Sequence, residues 1–223
     1  MSLKILGISG SPINNSNTDR AVKAVLKAAD LESEFVKLCE INVRPCMACK
    51  RCVKDNICKV EDDFPALAEK IKEAEALVIG AYCPYGNVDG FTKAFLERLW
   101  SMRHVKNLNR GKRVVIVVTG LATPGRTPQE IAVNKSLSLD QVTTSIAREM
   151  RMENMKVIGN IKIRGNVPCL TCGEGTTCKM SGVPPLFGPG TKASSELCVR
   201  VEDQPEVWDK IIRLGKKLHD RLS

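Results

Sequence analysis

Lys4-Ile5-Leu6-Gly7-Ile8-Ser9-Gly10-Ser11-Pro12-Ile13-Asn14-Asn15-Ser16-Asn17-Thr18 decides the fold. Its first part is a short apolar run without alternation, the pattern of a strand buried on both faces of a parallel sheet. A turn of Gly, Ser and Asn follows. From Asp19 to Ala29 the chain reads as an amphipathic helix, with Ala21, Val22, Val25, Leu26 and Ala29 on one face. The turn is not a G-x-G-x-x-G loop, so the dinucleotide fingerprint is absent. It offers neutral donors instead: Ser9, Ser11, Asn14, Asn15, Ser16, Asn17 and Thr18. They stand just ahead of a helix N-terminus, whose unpaired N–H groups and positive dipole end favour a phosphate. An ordinary capped turn uses the same residue types. Position favours phosphate binding, because ligands bind outside the carboxyl ends of strands near the first one.

Working outward, further strands are expected at Ser33–Leu38, Ala76–Tyr82, Arg113–Thr119 and Met155–Ile163. Helices are expected at Ala66–Glu75, where Asp62-Asp63 reads as a start signal, and from about Phe91 to Arg103. The Gly/Pro-rich loop Gly120–Pro128 precedes a long helical region over Gln129–Arg151. Glu202 or Asp203 is expected to cap a last helix, with Val207, Ile211, Leu214 and Leu218 facing inward. Strands alternating with helices make a parallel sheet. Five strands in this layout suit a doubly wound α/β fold of the flavodoxin-like order 2-1-3-4-5. Residues 1–223 read as one domain, with a cysteine-loop insertion at 45–60 and a cysteine-rich elaboration at 165–200.

The formal charge is +9, with basic residues spread along the chain, and aromatic residues are only 4%. That scarcity and the lack of a zinc-finger or RNA-binding signature argue against a nucleic-acid partner. The basic residues read as a solvated surface or, more sharply, as a docking face for an acidic electron-transfer partner. No signal peptide and no apolar run long enough to span a membrane is evident, so a cytoplasmic protein is expected.

Ten cysteines in a reducing compartment point to metal or redox work more than to disulfides. Pro45-Cys46-Met47-Ala48-Cys49-Lys50-Arg51-Cys52-Val53-Lys54-Asp55-Asn56-Ile57-Cys58 has the spacing C-x2-C-x2-C-x5-C. Short spacings let one curled loop aim successive thiolates at one point, as in compact ferredoxin runs. Zinc sites usually divide their ligands between two separated knuckles, so the spacing favours a 4Fe-4S cluster over zinc. A second group, Cys169, Cys172, Cys178 and the distant Cys198, suits a second cluster or a structural zinc equally, with free thiols third. In the expected strand order the two groups leave opposite edge strands, roughly 19 Å apart at about 4.8 Å per strand spacing. They therefore cannot share one site within a monomer. Cys39 and Cys83 read as core thiols.

Two motifs carry a family resemblance. Ser9-Gly10-Ser11-Pro12-x-x-x-Ser16-Asn17-Thr18 resembles the FMN-phosphate loop of flavodoxin-fold NAD(P)H-dependent FMN reductases. Pro84-Tyr85-Gly86-Asn87-Val88, followed by Gly90-Phe91-Thr92-Lys93-Ala94-Phe95-Leu96-Glu97-Arg98, is similar to their isoalloxazine-binding segment. With the Cys46–Cys58 run inserted, the chain most resembles the iron–sulfur flavoprotein branch. The resemblance covers most of residues 3–130, and Ile13 stands where many relatives carry an arginine. It implies FMN, a 4Fe-4S cluster on Cys46, Cys49, Cys52 and Cys58, and a homodimer or homotetramer. Thr119, Gly120 and Leu121 would then line the far side of the ring. His104 and His219 lack acidic partners in motif spacing and read as surface residues; Trp100 and Trp208 read as packing.

These readings lead to an electron-transfer flavoprotein: a low-potential donor such as an acidic ferredoxin, a cluster, FMN and a two-electron acceptor. An NAD(P)H-dependent FMN or quinone reductase with zinc-binding or structural cysteines is the alternative. A redox sensor or scaffold that binds FMN without turnover ranks third.

Overall fold

The computed structural model describes residues 3–121 and 139–223, with Pro128 and Ile131 between them. Its strands are β1 (Ile5–Ser9), β2 (Ser33–Lys37), β3 (Ala76–Cys83), β4 (Arg113–Gly120) and β5 (Lys156–Arg164). The helices are α1 (Asn17–Ala29), α2 (Phe64–Glu73), α3 (Gly90–Arg98), α4 (Leu139–Met152), α5 (Val183–Phe187) and α6 (Pro205–Leu222). The strands form one sheet in the order β2-β1-β3-β4-β5, every neighbouring pair parallel. This is the order the sequence predicts.

Alternation along each strand divides the core in two. Ile5, Val78, Val115 and Val117 turn to one side and pack with α1 and α6. Leu6, Ile8, Leu77, Ile79, Val114 and Ile116 turn to the other and meet α2, α3 and α4. Both faces are covered, so β1, β3 and β4 are apolar without alternation. Each side chain so buried contributes about 1.5–3 kcal/mol of transfer free energy. The edge strand β2 is only partly buried along most of its length.

Several boundaries differ from expectation for local reasons. α1 starts at Asn17, because Ser16 and Asp19 form a reciprocal cap: Asp19 N donates to Ser16 Oγ (3.1 Å) and Ser16 N to Asp19 Oδ2 (3.2 Å). α3 ends at Arg98 and tightens into a 3₁₀ turn over Leu99–Met102. Neither Glu202 nor Asp203 caps the last helix. α6 opens on Pro205 after Gln204, whose side chain is spent on the Arg164 backbone (3.1 and 3.0 Å). Glu202 instead receives Arg20 Nε at 2.8 Å. Of the helical region expected over Gln129–Arg151, α4 accounts for the end, and most of the rest lies outside the described residues. Among the described residues no helix is long and apolar enough to cross a membrane.

Residues 165–200 make two 3₁₀ turns, Pro168–Leu170 and Ser195–Leu197, around the short α5. The sequence shows no core pattern for this segment, yet Leu170 and Val183 are buried. Its return leg is bracketed at Val199, whose amide donates to Asn166 Oδ1 (2.7 Å) and whose carbonyl accepts from Asn166 Nδ2 (3.0 Å).

Candidate cofactor site

The carboxyl ends of β1, β3 and β4 stand side by side, and the turn after β1 is built on a buried polar cluster. Ser9 Oγ donates to Asp19 Oδ1 (2.6 Å), and Lys37 Nζ, at the end of β2, donates to Asp19 Oδ2 and to Ile13 O (2.6 Å). Lys37 and Asp19 are almost fully buried. A lone charge there would be costly, so the pair and its hydrogen bonds hold the turn in one shape. The sequence reading assigned no role to Lys37. Its only signal is a lysine closing an apolar edge strand.

The expected phosphate donors divide into two sets. Ser9 is committed to Asp19, and Thr18 Oγ1 donates to Thr119 Oγ1 (2.9 Å). Asn17 faces away from the turn: its Nδ2 donates to Val199 O (2.9 Å), and its Oδ1 accepts from Val201 N (3.0 Å) and from Arg20. These side chains thus have partners within the protein. Ser11 Oγ and Ser16 Oγ act as acceptors, for Ile13 N (3.4 Å) and Asp19 N (3.1 Å), which leaves both hydroxyl protons to donate. The first-turn amides of Asn17 and Thr18 have no intrahelical acceptor. These groups fit a phosphate, held by hydroxyls and main-chain amides at a positive dipole end.

Gly10 is fixed by close packing. A Cβ there would lie 2.0 Å from Thr92 Oγ1 and 2.7 Å from Asp89 Oδ1. Asp89 is fully buried and caps α3, accepting from Thr92 N (2.8 Å), Thr92 Oγ1 (2.7 Å) and Tyr82 N (3.1 Å). Burial pushes its carboxyl above the ordinary range, against these hydrogen bonds. Asp89 thus locks the Pro84–Val88 loop between β3 and α3. Within that loop Tyr85 has φ 50° and Gly86 φ 74°, and the Tyr85 side chain is 98% exposed. Asn87 is exposed and bonds within the loop, its backbone amide donating to Pro84 O (2.9 Å) and its Nδ2 to Tyr85 O (3.1 Å). Val88 packs against the core. An exposed aromatic ring on a strained, locked turn suits a flat ligand lying over it. Thr119 and Gly120 end β4 beside this loop, Gly120 pairing with Cys83 and accepting from Gly165 N (2.8 Å). Cys39 and Cys83 are half-buried at this rim; Cys83 packs against the core as expected, whereas Cys39 lies in the 3₁₀ turn after β2 and outside the core. Cys39 Sγ lies 3.7 Å from Ser11 O.

The Cys46–Cys58 loop leaves the same end of the sheet on the α3 side. Ala48, Lys50 and Asn56 take left-handed φ of 49°, 58° and 62°, which curl the chain. Asn56 pins it to the segment after α3, donating to Lys106 O and accepting from Val105 N, both at 2.7 Å. Cys46, Cys49, Cys52 and Cys58 line one small cavity, closed by Arg98 and Trp100. Burial pushes the Cys52 thiol up, and the charges of Cys58, Cys49 and Cys46 push the same way. The Arg51 amide and guanidinium pull the exposed Cys49 thiol down. Among the described residues, no three His, Cys, Asp or Glu side chains stand in single-ion geometry. A polynuclear cluster holds its sulfurs further apart than one ion does. Four cysteines lining one cavity are the kind of donor set such a cluster uses.

Trp100 lines this cavity, and His104 is half-buried beside it. Their rings meet edge to face at 4.1 Å, and His104 Nε2 is buried without a partner among the described residues. Asp62, read as a helix cap, does accept from Phe64 N (3.0 Å), but both its oxygens also receive the Arg98 guanidinium (2.5 and 3.0 Å). Burial alone would raise the Asp62 carboxyl; Arg98 and the amides of Arg44 and Phe64 outweigh it and hold it low.

Of the second group, Cys169 and Cys198 are half-buried. Cys172 and Cys178 are exposed. Gly182 N approaches Cys169 Sγ at 3.4 Å, and Cys172 Sγ approaches Cys169 O at 3.6 Å. This segment also does not stay at its edge strand. Val199 and Val201 are hooked to Asn17, which brings the chain after Cys198 against the start of α1.

Comparison with known proteins agrees with this geometry. The family described as NADPH-dependent FMN reductase matches residues 3–144. An iron–sulfur flavoprotein of Methanocaldococcus jannaschii is 32% identical over 104 residues, covering 45% of this chain and 54% of that protein. One from Archaeoglobus fulgidus is 33% identical over 128 residues, covering 55% and 62%. The chain thus spans little more than half the length of these relatives. Among solved structures, RosB with a bound 8-demethyl-8-formylriboflavin-5'-phosphate intermediate has a TM-score of 0.62 at 16% identity, over 99% of this chain and 79% of that one. A flavodoxin from the domain Archaea has a TM-score of 0.50 at 11% identity, over 99% of both chains. At such identities the likeness concerns the fold alone.

Proposed function

From the premise that this chain belongs to the NADPH-dependent FMN reductase family, we propose that it is a flavin-dependent oxidoreductase that couples a one-electron donor to a two-electron acceptor. The observation that carries the one-electron side is the convergence of four thiols on one cavity at the flavin end of the sheet. FMN supplies two-electron storage and a 4Fe-4S cluster on Cys46, Cys49, Cys52 and Cys58 supplies a one-electron carrier. The names of the relatives, iron–sulfur flavoproteins, support this reading.

The protein's own groups have distinct tasks. Ser11, Ser16 and the first-turn amides of α1 hold the FMN phosphate, and the Lys37–Asp19–Ser9 cluster keeps their turn rigid. Tyr85, Gly86, Asn87 and Val88 border the ring on the β3 side, Thr119 and Gly120 on the β4 side. The exposed Lys50, Arg51 and Lys54 around the cysteine cavity suit an acidic donor of ferredoxin type, which they would steer electrostatically. Assembly as a homodimer or homotetramer would bring one subunit's cavity near another's flavin.

The test is anaerobic purification followed by assay of iron, sulfide, zinc and flavin in one sample, with EPR after reduction. The expected result is iron and sulfide in near-equal amounts, bound flavin and a cluster signal. Protein without iron and sulfide sinks the proposal. A second reading is favoured by the family match: an NAD(P)H-dependent FMN or quinone reductase whose cysteines bind zinc or are structural. Rapid flavin bleaching by NADPH in protein free of iron is its signature.

A further inference from the structure

We infer that Arg98 sets the reduction potential of the cysteine-held cluster, acting as a positioning residue on the Cys58 side of the cavity. The inference rests on the cluster reading above and adds a role that neither the motif nor the fold assigns.

Arg98 is the last residue of α3, and its side chain is fully buried. Its NH1 donates to Arg44 O (2.8 Å) and Asp62 Oδ2 (2.5 Å), its NH2 to Asp62 Oδ1 (3.0 Å). One face of the guanidinium lies 4.5 Å from the centre of the Phe64 ring. Asp62 is fully buried as well. A packing device would satisfy every donor, since an unpaired buried N–H costs about 1–3 kcal/mol. Yet among the described residues Arg98 Nε has no hydrogen-bond acceptor. The residue lines the same cavity as Cys58. A buried cation with a spare N–H therefore stands at the cavity wall, where a cysteine sulfur would accept it.

A cluster that takes up one electron carries one more negative charge. A nearby cation and an N–H donor to a ligand sulfur stabilise that reduced form, and hydrogen bonds and net charge are among the factors that set cluster potentials. Asp62 opposes the effect, because it neutralises Arg98 from the far side. The pair is thus a graded device: Arg98 raises the potential and Asp62 limits how far.

Two variants separate this from a packing role, each titrated electrochemically under anaerobic conditions with EPR detection of the reduced cluster. Asp62→Asn leaves Arg98 unneutralised and is expected to shift the equilibrium about tenfold toward reduction, or about 59 mV for a one-electron couple. Arg98→Met combined with Asp62→Asn removes charge and donor together and is expected to shift it about tenfold the other way. The double variant should stay folded, because exchanging a buried ion pair for neutral residues is often close to neutral. Shifts in the same direction, or both below about twofold, at unchanged iron and sulfide content, overturn the inference and leave the cluster reading standing. Loss of the cluster from both variants with helical circular dichroism intact also overturns it, since the pair then serves assembly. Wild-type protein without iron and sulfide removes the cluster reading, and this inference with it.

Discussion

The two cysteine-bearing loops begin alike in sequence and are held down by opposite physics. The Cys46–Cys58 loop rests on a buried charge: Arg98 and Asp62, both without solvent exposure, sit behind its cavity. The 165–200 segment rests on neutral amides, with Asn166 and Asn17 bracketing Val199 and Val201, and a partly exposed Arg20–Glu202 pair beside them. The first arrangement places four cysteines and a buried arginine around one small cavity. The second ties a loop to the helix start that would hold a phosphate, and leaves Cys172 and Cys178 in solvent.

The largest test of that contrast is metal content. Cys52→Ser is expected to abolish bound iron and sulfide while FMN remains, and Cys178→Ser to leave both unchanged. Iron or zinc falling in the Cys178 variant would show that the second group holds its own metal and would break the comparison.

Stability comes next. Arg98→Ala strands Asp62 as a buried unpaired charge and is expected to cost about 3–5 kcal/mol in urea unfolding. Asn17→Ala removes neutral hydrogen bonds to Val199 and Val201 and is expected to cost about 1–2 kcal/mol. Its loss should be local: amide exchange speeds up around residues 196–201 and stays unchanged at 46–58. Equal costs for the two variants would contradict the proposed difference in anchoring.

The smallest effect is in acid. The native Asp62 carboxyl is held below its ordinary value of 3.8. Its contribution is therefore complete above pH 3.8 and is lost as the pH falls through the lower native value. Asp89 has the opposite sign, because burial raises its carboxyl and native protein binds that proton more readily. Acid unfolding curves of Asp62→Asn should lack the loss below that pH. Curves that superimpose on those of the wild type would remove Asp62 from the acid response.

The strand order was legible because period and composition are local: apolar runs at β1, β3 and β4 can only be buried strands, and each is followed by a helical pattern. The cysteine spacing was legible for the same reason. Side-chain roles in the turn after β1 were not. Ser9, Asn17 and Thr18 look like phosphate donors in one dimension, but their partners are Asp19, Val199 and Thr119, and two of the three are far away in sequence. Lys37 had no motif to mark it, and Asp89 and Arg98 lie in or beside the Pro84–Arg98 motif without a role of their own there, because each acts through a partner that only the fold brings near.

By itself the sequence determined the α/β sheet, its order and the placing of the cysteine loop at the carboxyl end of β2. These follow from chain-local hydrophobic period and chain connectivity. Only the tertiary structure decided which hydroxyls remain free beside α1, that the second cysteine segment folds back onto Asn17, and that a buried guanidinium lines the thiol cavity. Those are pairings between distant residues under burial, and their energies depend on how near the partners lie and on how much water remains between them.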